Sequence, residues 1–137
     1  MAVRKAEARD IDAILAVVNS NTDRLLGRDR DEIVSLLDTF WVAVDDGRIV
    51  GCSCLEVYSP KIAELRSLAV LPEYRGRGYG AALTAAAVEE AERRGIPQVL
   101  VVTSNREFFE RLNFGPCLNE KYALFWVNPD APAGVKP

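Results

Sequence analysis

The stretch from residue 63 to residue 94 leaves this chain few options. Apolar residues from Leu65 to Leu71 read as a strand and end in a turn carrying Pro72. Arg75-Gly76-Arg77-Gly78-Tyr79-Gly80 follows, and an alanine-rich helical pattern begins at once. The order is strand, glycine loop, helix. Backbone N–H groups in such a loop, with a helix N-terminus behind them, form a site for anionic oxygens. Glycines allow an anion to approach the main chain closely. Arg75 and Arg77 add fixed positive charge beside those donors. A turn that needs glycines for its geometry alone would not also require two flanking arginines.

The remaining elements follow from periodicity and turn chemistry. Val3 to Ala6 reads as a first strand, and Asp10 as the N-cap of a helix through Asn19 with Ile11, Ile14, Leu15 and Val18 on one stripe. Residues 21–27 connect to a second helix opened by Asp29 or Arg30, and the connection has room for a short helical turn. Phe40 to Val44 and Arg48 to Tyr58 form strands around an Asp45-Asp46-Gly47 hairpin turn. After Ser59-Pro60-Lys61 comes the strand Ala63 to Leu71. The main helix runs from Gly78 to Arg94, with Gly95 at C′ and Pro97 preventing continuation. Gln98 to Thr103 is an apolar strand suited to a central place in a sheet. A short helix, Asn105 to Leu112, and two closing strands, Phe114 to Cys117 and Lys121 to Val127, complete a single domain over residues 1–127. Residues 128–137 are a proline-containing tail.

Composition narrows the function. The net charge is −3, no basic block is present, and no apolar run reaches the roughly 20 residues of a membrane span. Neither a nucleic-acid partner nor a membrane is expected. The first ten residues lack the apolar segment of an export signal, so a cytoplasmic location is expected. The chain has three cysteines and no histidine. Cys52 and Cys54 share a strand face and read as small buried apolar residues, reduced rather than bridged. Without histidine, Ser-His and Cys-His nucleophile schemes fall away, and no metal site is expected.

Three kinds of phosphate-binding turn compete for the loop. A P-loop needs Gly-Lys-Ser/Thr, whereas Gly80 is followed by Ala81-Ala82. The dinucleotide pattern needs an acid closing the next strand, which here ends Val102-Thr103-Ser104-Asn105. The third is Arg-x-x-Gly-x-Gly, matched by Arg75, Gly78 and Gly80 after a strand reading Leu-Arg-Ser-Leu-Ala-Val. Motif and element order together resemble the GNAT superfamily of acetyl-CoA-dependent N-acetyltransferases across residues 3–127. The resemblance implies an α/β (α+β) fold: a mixed, mostly antiparallel central sheet of about six or seven strands, about four helices, and a splayed pair formed by the strands at 63–71 and 98–103. It implies acetyl-CoA as cofactor. Its pyrophosphate would lie on amides around Arg75, Gly76, Arg77, Gly78, Tyr79, Gly80 and Ala81. Its pantetheine and acetyl group would lie along Leu68, Ala69 and Val70.

Such a reaction needs a base for the ammonium, a donor for the oxyanion and release of a thiolate. Alternation puts Glu64, Arg66, Leu68 and Val70 in one row, in line with the acetyl group. Glu64 also stands where some GNAT enzymes carry a base. It is either that base or a strand-end carboxylate paired with Arg66 or Lys61. The N–H of Val70 or Leu71 is the expected oxyanion donor. Arg66, about 6–7 Å further along the strand than Glu64, either holds a substrate carboxylate or partners Glu64. The superfamily's usual leaving-group acid is a tyrosine, and Phe109 occupies that position in Phe108-Phe109. Tyr122 is either a substitute or a packing residue, and Tyr74 and Tyr79 cover cofactor or core.

Ala63-Glu64-Leu65-Arg66-Ser67-Leu68-Ala69-Val70 and Thr103 followed by Glu107-Phe108-Phe109 look like the acetyltransferase domain of N-acetylglutamate synthases, which open arginine biosynthesis. With no amino-acid-kinase domain in the sequence, the short form is the one resembled. Asn113 departs from the usual glycine before the final Phe114. The resemblance carries Arg66 and Thr103 over as substrate contacts. The implied acceptor is a small amine, first of all the α-amine of glutamate or a related amino acid, and a homodimer is compatible with it. The alternatives are another small amine, a protein amine, or a non-catalytic acyl-CoA-binding module.

Overall fold

The computed structural model describes residues 2–21, 28–116, 124 and 126–130. The chain divides into two units, Met1–Val101 and Val102–Pro137. Among the described residues the first unit holds strands β1 (Ala2–Lys5), β2 (Phe40–Asp45), β3 (Arg48–Ser59), β4 (Ile62–Val70) and β5 (Gln98–Leu100), and helices α1 (Ile11–Asn19), α2 (Arg30–Leu36) and α3 (Tyr79–Arg93). The sheet order is β1-β2-β3-β4-β5. The first three pairings are antiparallel, and β4 pairs with β5 in parallel. That last pairing requires the crossover that α3 supplies.

Local chemistry explains the element ends. Asp46 and Gly47 take φ 50 and 75, the left-handed pair that a two-residue hairpin turn demands. Asp29 caps α2 through a reciprocal pair: its carboxylate accepts from Glu32 N–H at 2.9 Å, and Glu32 reaches back to Asp29 N–H. Asp10 departs from simple capping. Its carboxylate accepts from Arg4 at 2.7 and 3.0 Å and from Glu7 N–H at 2.8 Å, tying β1 to the turn before α1. The Arg4 hydrogen bond, against the cost of burial, holds this carboxyl below its ordinary range. α3 ends with Gly95 N–H on Glu92 O and Ile96 N–H on Ala91 O, Gly95 having φ 68. This is the Schellman arrangement a C′ glycine favours.

Each face of the sheet is packed. Phe40, Val42, Cys52, Cys54 and Ala69 meet Ile11, Ile14, Val17, Val18 and Ile33 from α1 and α2. The opposite face receives α3: Ser53 Oγ donates to Leu83 O at 3.1 Å. A Cβ on Gly51 would lie 2.9 Å from Leu83 Cδ1 and 3.0 Å from Ala69 O, so only glycine permits this approach. The Cys52 and Cys54 thiols are buried and free. Burial pushes them up to about 12 and about 11, respectively.

The second unit contains α4 (Arg106–Glu110), capped by Asn105 Oδ1 on Phe108 N–H. Asn113 takes φ 69 after it, and Phe114 N–H returns to Phe109 O at 3.0 Å. Asparagine thus serves where glycine is usual, because it tolerates the left-handed region.

Several boundaries differ from the sequence reading. The sheet has five strands among the described residues rather than six or seven. β5 stops at Leu100, and Val101–Thr103 are not strand. Residues 114–116 and 126–127 are not strand either; the expected closing strands otherwise fall on residues outside the described set, as do Cys117, Tyr122 and the connection at 22–27. No helix among the described residues is long and apolar enough to cross a membrane.

Candidate active site

Three features of the first unit surround the C-terminal half of β4. The first is the glycine loop. Arg75 to Gly78 are exposed, and Gly76 and Gly78 take φ 78 and 90, the region L side chains avoid. Gly78 is the N-cap of α3 and offers no side chain to the helix end. Ala82 N–H is the first to reach back, to Gly78 O at 3.1 Å. Among the described residues, no backbone or side-chain acceptor takes the N–H groups of Gly76, Arg77, Gly78, Tyr79, Gly80 or Ala81. These are the orphan donors of a helix start extended by a glycine turn. The flanking side chains are braced. Arg75 donates to Asn21 Oδ1, and Asn21 Nδ2 donates to Val17 O at 2.9 Å. The Arg77 guanidinium lies 4.9 Å from the Tyr74 ring centre, and the Tyr79 hydroxyl donates to Asp45. Tyr79 is buried and belongs to the support of the loop.

The second feature is the free edge of β4. Its pairing with β5 covers Ile62↔Gln98, Ala63↔Val99 and Glu64↔Leu100 and ends there. From Leu65 to Val70, β4 has no strand on that side among the described residues. Leu71 N–H donates to Val50 O at 2.8 Å, so of the two donors expected for an oxyanion Leu71 is already engaged. Strand alternation then turns Val70 N–H away from β3, toward the free edge.

The third feature rests on a bulge that the sequence does not announce. Cys54 stands opposite Arg66 and Cys52 opposite Ala69, so Ser67 and Leu68 together face the single Ser53. Ser67 takes φ 54. Cross-strand partners share a face. Arg66 and Ala69 therefore lie on the face of α1 and α2, whereas Leu68 and Val70 turn to that of α3. The expected single row of Glu64, Arg66, Leu68 and Val70 breaks after Arg66. Glu64 keeps company instead with Glu56, its direct partner on β3.

A patch of charge collects on that face. Arg66 Nη1 donates to Glu56 Oε2 at 2.9 Å, so its ion-pair partner is Glu56 and not Glu64. Tyr58 Oη lies 2.5 Å from Glu64 Oε1 and 3.1 Å from Glu56 Oε2. Arg28, only 8% exposed, donates from Nε to Ser67 Oγ at 2.5 Å. Its Nη1 donates to Glu32 Oε2 at 3.4 Å, whereas its Nη2 is buried with no hydrogen-bond acceptor among the described residues and lies 3.9 Å from Glu56 Oε1. Burial works against the Glu56 charge, but Arg66 and Arg28 hold its carboxyl below the ordinary value. Burial and the neighbouring Glu64 push the Tyr58 phenol up. Next to this patch an open cleft of about 290 Å³ is lined by Ser35, Asp38, Thr39, Glu56, Tyr58 and Arg94, among others.

Arg28, Glu56 and Tyr58 were not legible as site residues. Glu56 carried a faint signal: it continues the Cys52, Cys54 row of an otherwise apolar strand. Nothing marked Arg28. In the second unit, Thr103 is exposed and its Oγ1 accepts from Asn105 N–H at 2.9 Å. Phe109 is buried, packed edge-on to Phe108 and Phe114 with ring centres 4.9 and 5.4 Å away.

The family model described as Acetyltransferase (GNAT) domain matches residues 37–116, from the turn before β2 to beyond α4. The chain is a GNAT acetyltransferase. This enzyme is 32% identical over 116 residues to the amino-acid acetyltransferase of Mycobacterium tuberculosis, covering 82% of this chain and 67% of that protein. Its fold matches a crystal structure from M. tuberculosis in complex with CoA and NLQ, with TM-score 0.80, 31% identity, and 82% of this chain against 70% of that one. It also matches the N-acetylglutamate synthase of Neisseria gonorrhoeae, solved with coenzyme A and N-acetyl-glutamate, with TM-score 0.75 and 27% identity. That match covers 81% of this chain but only 27% of the gonococcal one.

Proposed function

We propose that this N-acetyltransferase moves the acetyl group of acetyl-CoA to the α-amine of a small amino acid, with glutamate the first candidate. One observation carries the acceptor class: the buried Nη2 of Arg28, without a hydrogen-bond acceptor among the described residues, on the same sheet face as Glu64. A buried guanidinium nitrogen without an acceptor is costly, and a carboxylate from the acceptor would satisfy it. Arg66, held by Glu56 through one nitrogen only, keeps other donors for the same group. The names of the amino-acid acetyltransferase and N-acetylglutamate synthase relatives support the same class.

In this reading, the free amides of Gly76 to Ala81 hold the pyrophosphate beside Arg75 and Arg77. The free edge of β4 at Leu68 to Val70 pairs with the pantetheine. Glu64 takes a proton from the ammonium, directly or through a water. The neutral amine attacks the thioester carbon, and Val70 N–H faces the resulting oxyanion. The C–S bond then breaks, coenzyme A leaves as thiolate, and the second proton on the attacking nitrogen passes to that thiolate or to solvent, leaving the neutral amide. A thiol of pKa near 8.5 is a tolerable leaving group, which fits a chain with phenylalanine at 109.

Free-thiol release from acetyl-CoA tests this against L-amino acids and matched amines lacking the α-carboxylate. Turnover with glutamate that fades when the carboxylate is removed supports the proposal. Equal turnover without the carboxylate removes the role given to Arg28. Tight CoA binding without turnover across the panel would make the chain an acyl-CoA-binding module instead.

A further inference from the structure

We infer that Tyr58 is a positioning residue for Glu64: its phenol donates to the Glu64 carboxylate and stands between that group and Glu56. This rests on the proposed base role of Glu64. Glu56 and Glu64 face each other across β3 and β4, a pairing in which two like charges are unfavourable. The Tyr58 oxygen lies 2.5 Å from Glu64 Oε1 and 3.1 Å from Glu56 Oε2. A phenol has one hydrogen and cannot donate to both. The shorter contact takes it.

The surrounding charges decide the same way. Glu56 is already served by Arg66 at 2.9 Å and faced by Arg28 at 3.9 Å. Glu64 forms no ion pair among the described residues, so the phenol is its donor on this face. The other charged groups around the patch are Glu32, which pairs with Arg28, and Asp38 and Arg94 in the adjoining cleft. Lys61 lies in the turn before β4, and β5 brings only Gln98 and Leu100. A second irregularity aims the ring. The β3–β4 register shifts between Val57 and Ser59, leaving Tyr58 as the extra residue. Bulges of this kind re-aim a side chain. The result is an order of carboxylates: Glu56 held by arginine, Glu64 held by a neutral donor and open to receive a proton.

Tyr58→Phe removes the donor and keeps the ring. A positioned base depends on such a donor for its direction, and the variant loses it. kcat with the acceptor should fall about threefold to tenfold, with KM for acetyl-CoA unchanged. In a Glu64→Gln background Tyr58→Phe should add no further loss, because the phenol acts only through Glu64. An unchanged kcat in Tyr58→Phe, or an equal further loss in the Glu64→Gln background, would overturn the role of Tyr58 and leave the base intact. A Glu64→Gln variant that keeps the wild-type rate would overturn the base reading and this inference with it.

Discussion

The glycine loop and the charged patch, both in the first unit and both proposed to hold substrate groups, are built in opposite ways. The loop offers main-chain donors. Among the described residues, six consecutive N–H groups from Gly76 to Ala81 have no acceptor, because a helix start and two left-handed glycines leave them so. The patch offers side chains, and its geometry depends on two slips of strand register, at Ser67 and at Tyr58. Main-chain donors suit a diphosphate common to every turnover of a large family. Side chains on a bulged strand suit an acceptor that differs between members. Substitutions should therefore separate the two regions by what they disturb.

The largest effect is expected in the loop. Gly78→Glu forces a residue with a side chain to φ 90 and sets a carboxylate among the amides. Coenzyme A affinity measured by calorimetry should fall by about 100-fold or more. Retained affinity would show that the loop is only a turn. Glu64→Gln should instead leave that affinity alone and lower kcat/KM by about 100-fold, most severely below neutral pH. Arg28→Met keeps the buried stem and removes the charge. The acceptor KM should rise about tenfold or more, corresponding to one charged hydrogen bond of about 1.5–3 kcal/mol, with the acetyl-CoA KM unchanged. A change in the cofactor KM of the same size would end the separation drawn between the regions.

The smallest effect supplies a control. Glu90 on α3, hydrogen-bonded by Arg94 at 2.9 Å and by Arg93 at 2.6 Å, has its carboxyl lowered to about 2 despite partial burial. A depressed carboxyl contributes stability above its unfolded value of about 4.5, and that contribution is lost as pH falls toward about 2. Melting temperature should drop over that window, and Glu90→Gln should flatten the drop. Any rate loss at higher pH then reports on the patch and not on unfolding.

The same contrast explains what the amino-acid sequence revealed. Asp46-Gly47, Gly95 and the loop glycines each mark a backbone state that few other residues tolerate, so the hairpin turn and both ends of α3 could be placed to within a residue. Strand faces were a different matter. Alternation held as far as Arg66 and then failed, because Ser67 enters the left-handed region with no glycine to signal it. For Arg66 the sequence offers a substrate carboxylate or Glu64, two residues away, whereas the residue that holds it is Glu56 on the neighbouring strand. Arg28 sits just before α2, and only the tertiary structure gives it Ser67. The expected row that included Val70 was mistaken for the same reason. β5 ended early because apolar content alone does not say where pairing stops.

The extra residue in β4 acts as a phase shift in the strand. Were the intact strand to run through Ser67 without the bulge, everything beyond it would exchange destinations: Ala69 would leave the α1 core and Leu68 and Val70 would enter it. The run-in to the glycine turn would rotate with them, swinging the anion cradle off the strand that feeds it. Deleting Ser67 would by contrast keep Ala69 and Val70 on their present faces and remove only the kink and the hydroxyl that holds Arg28.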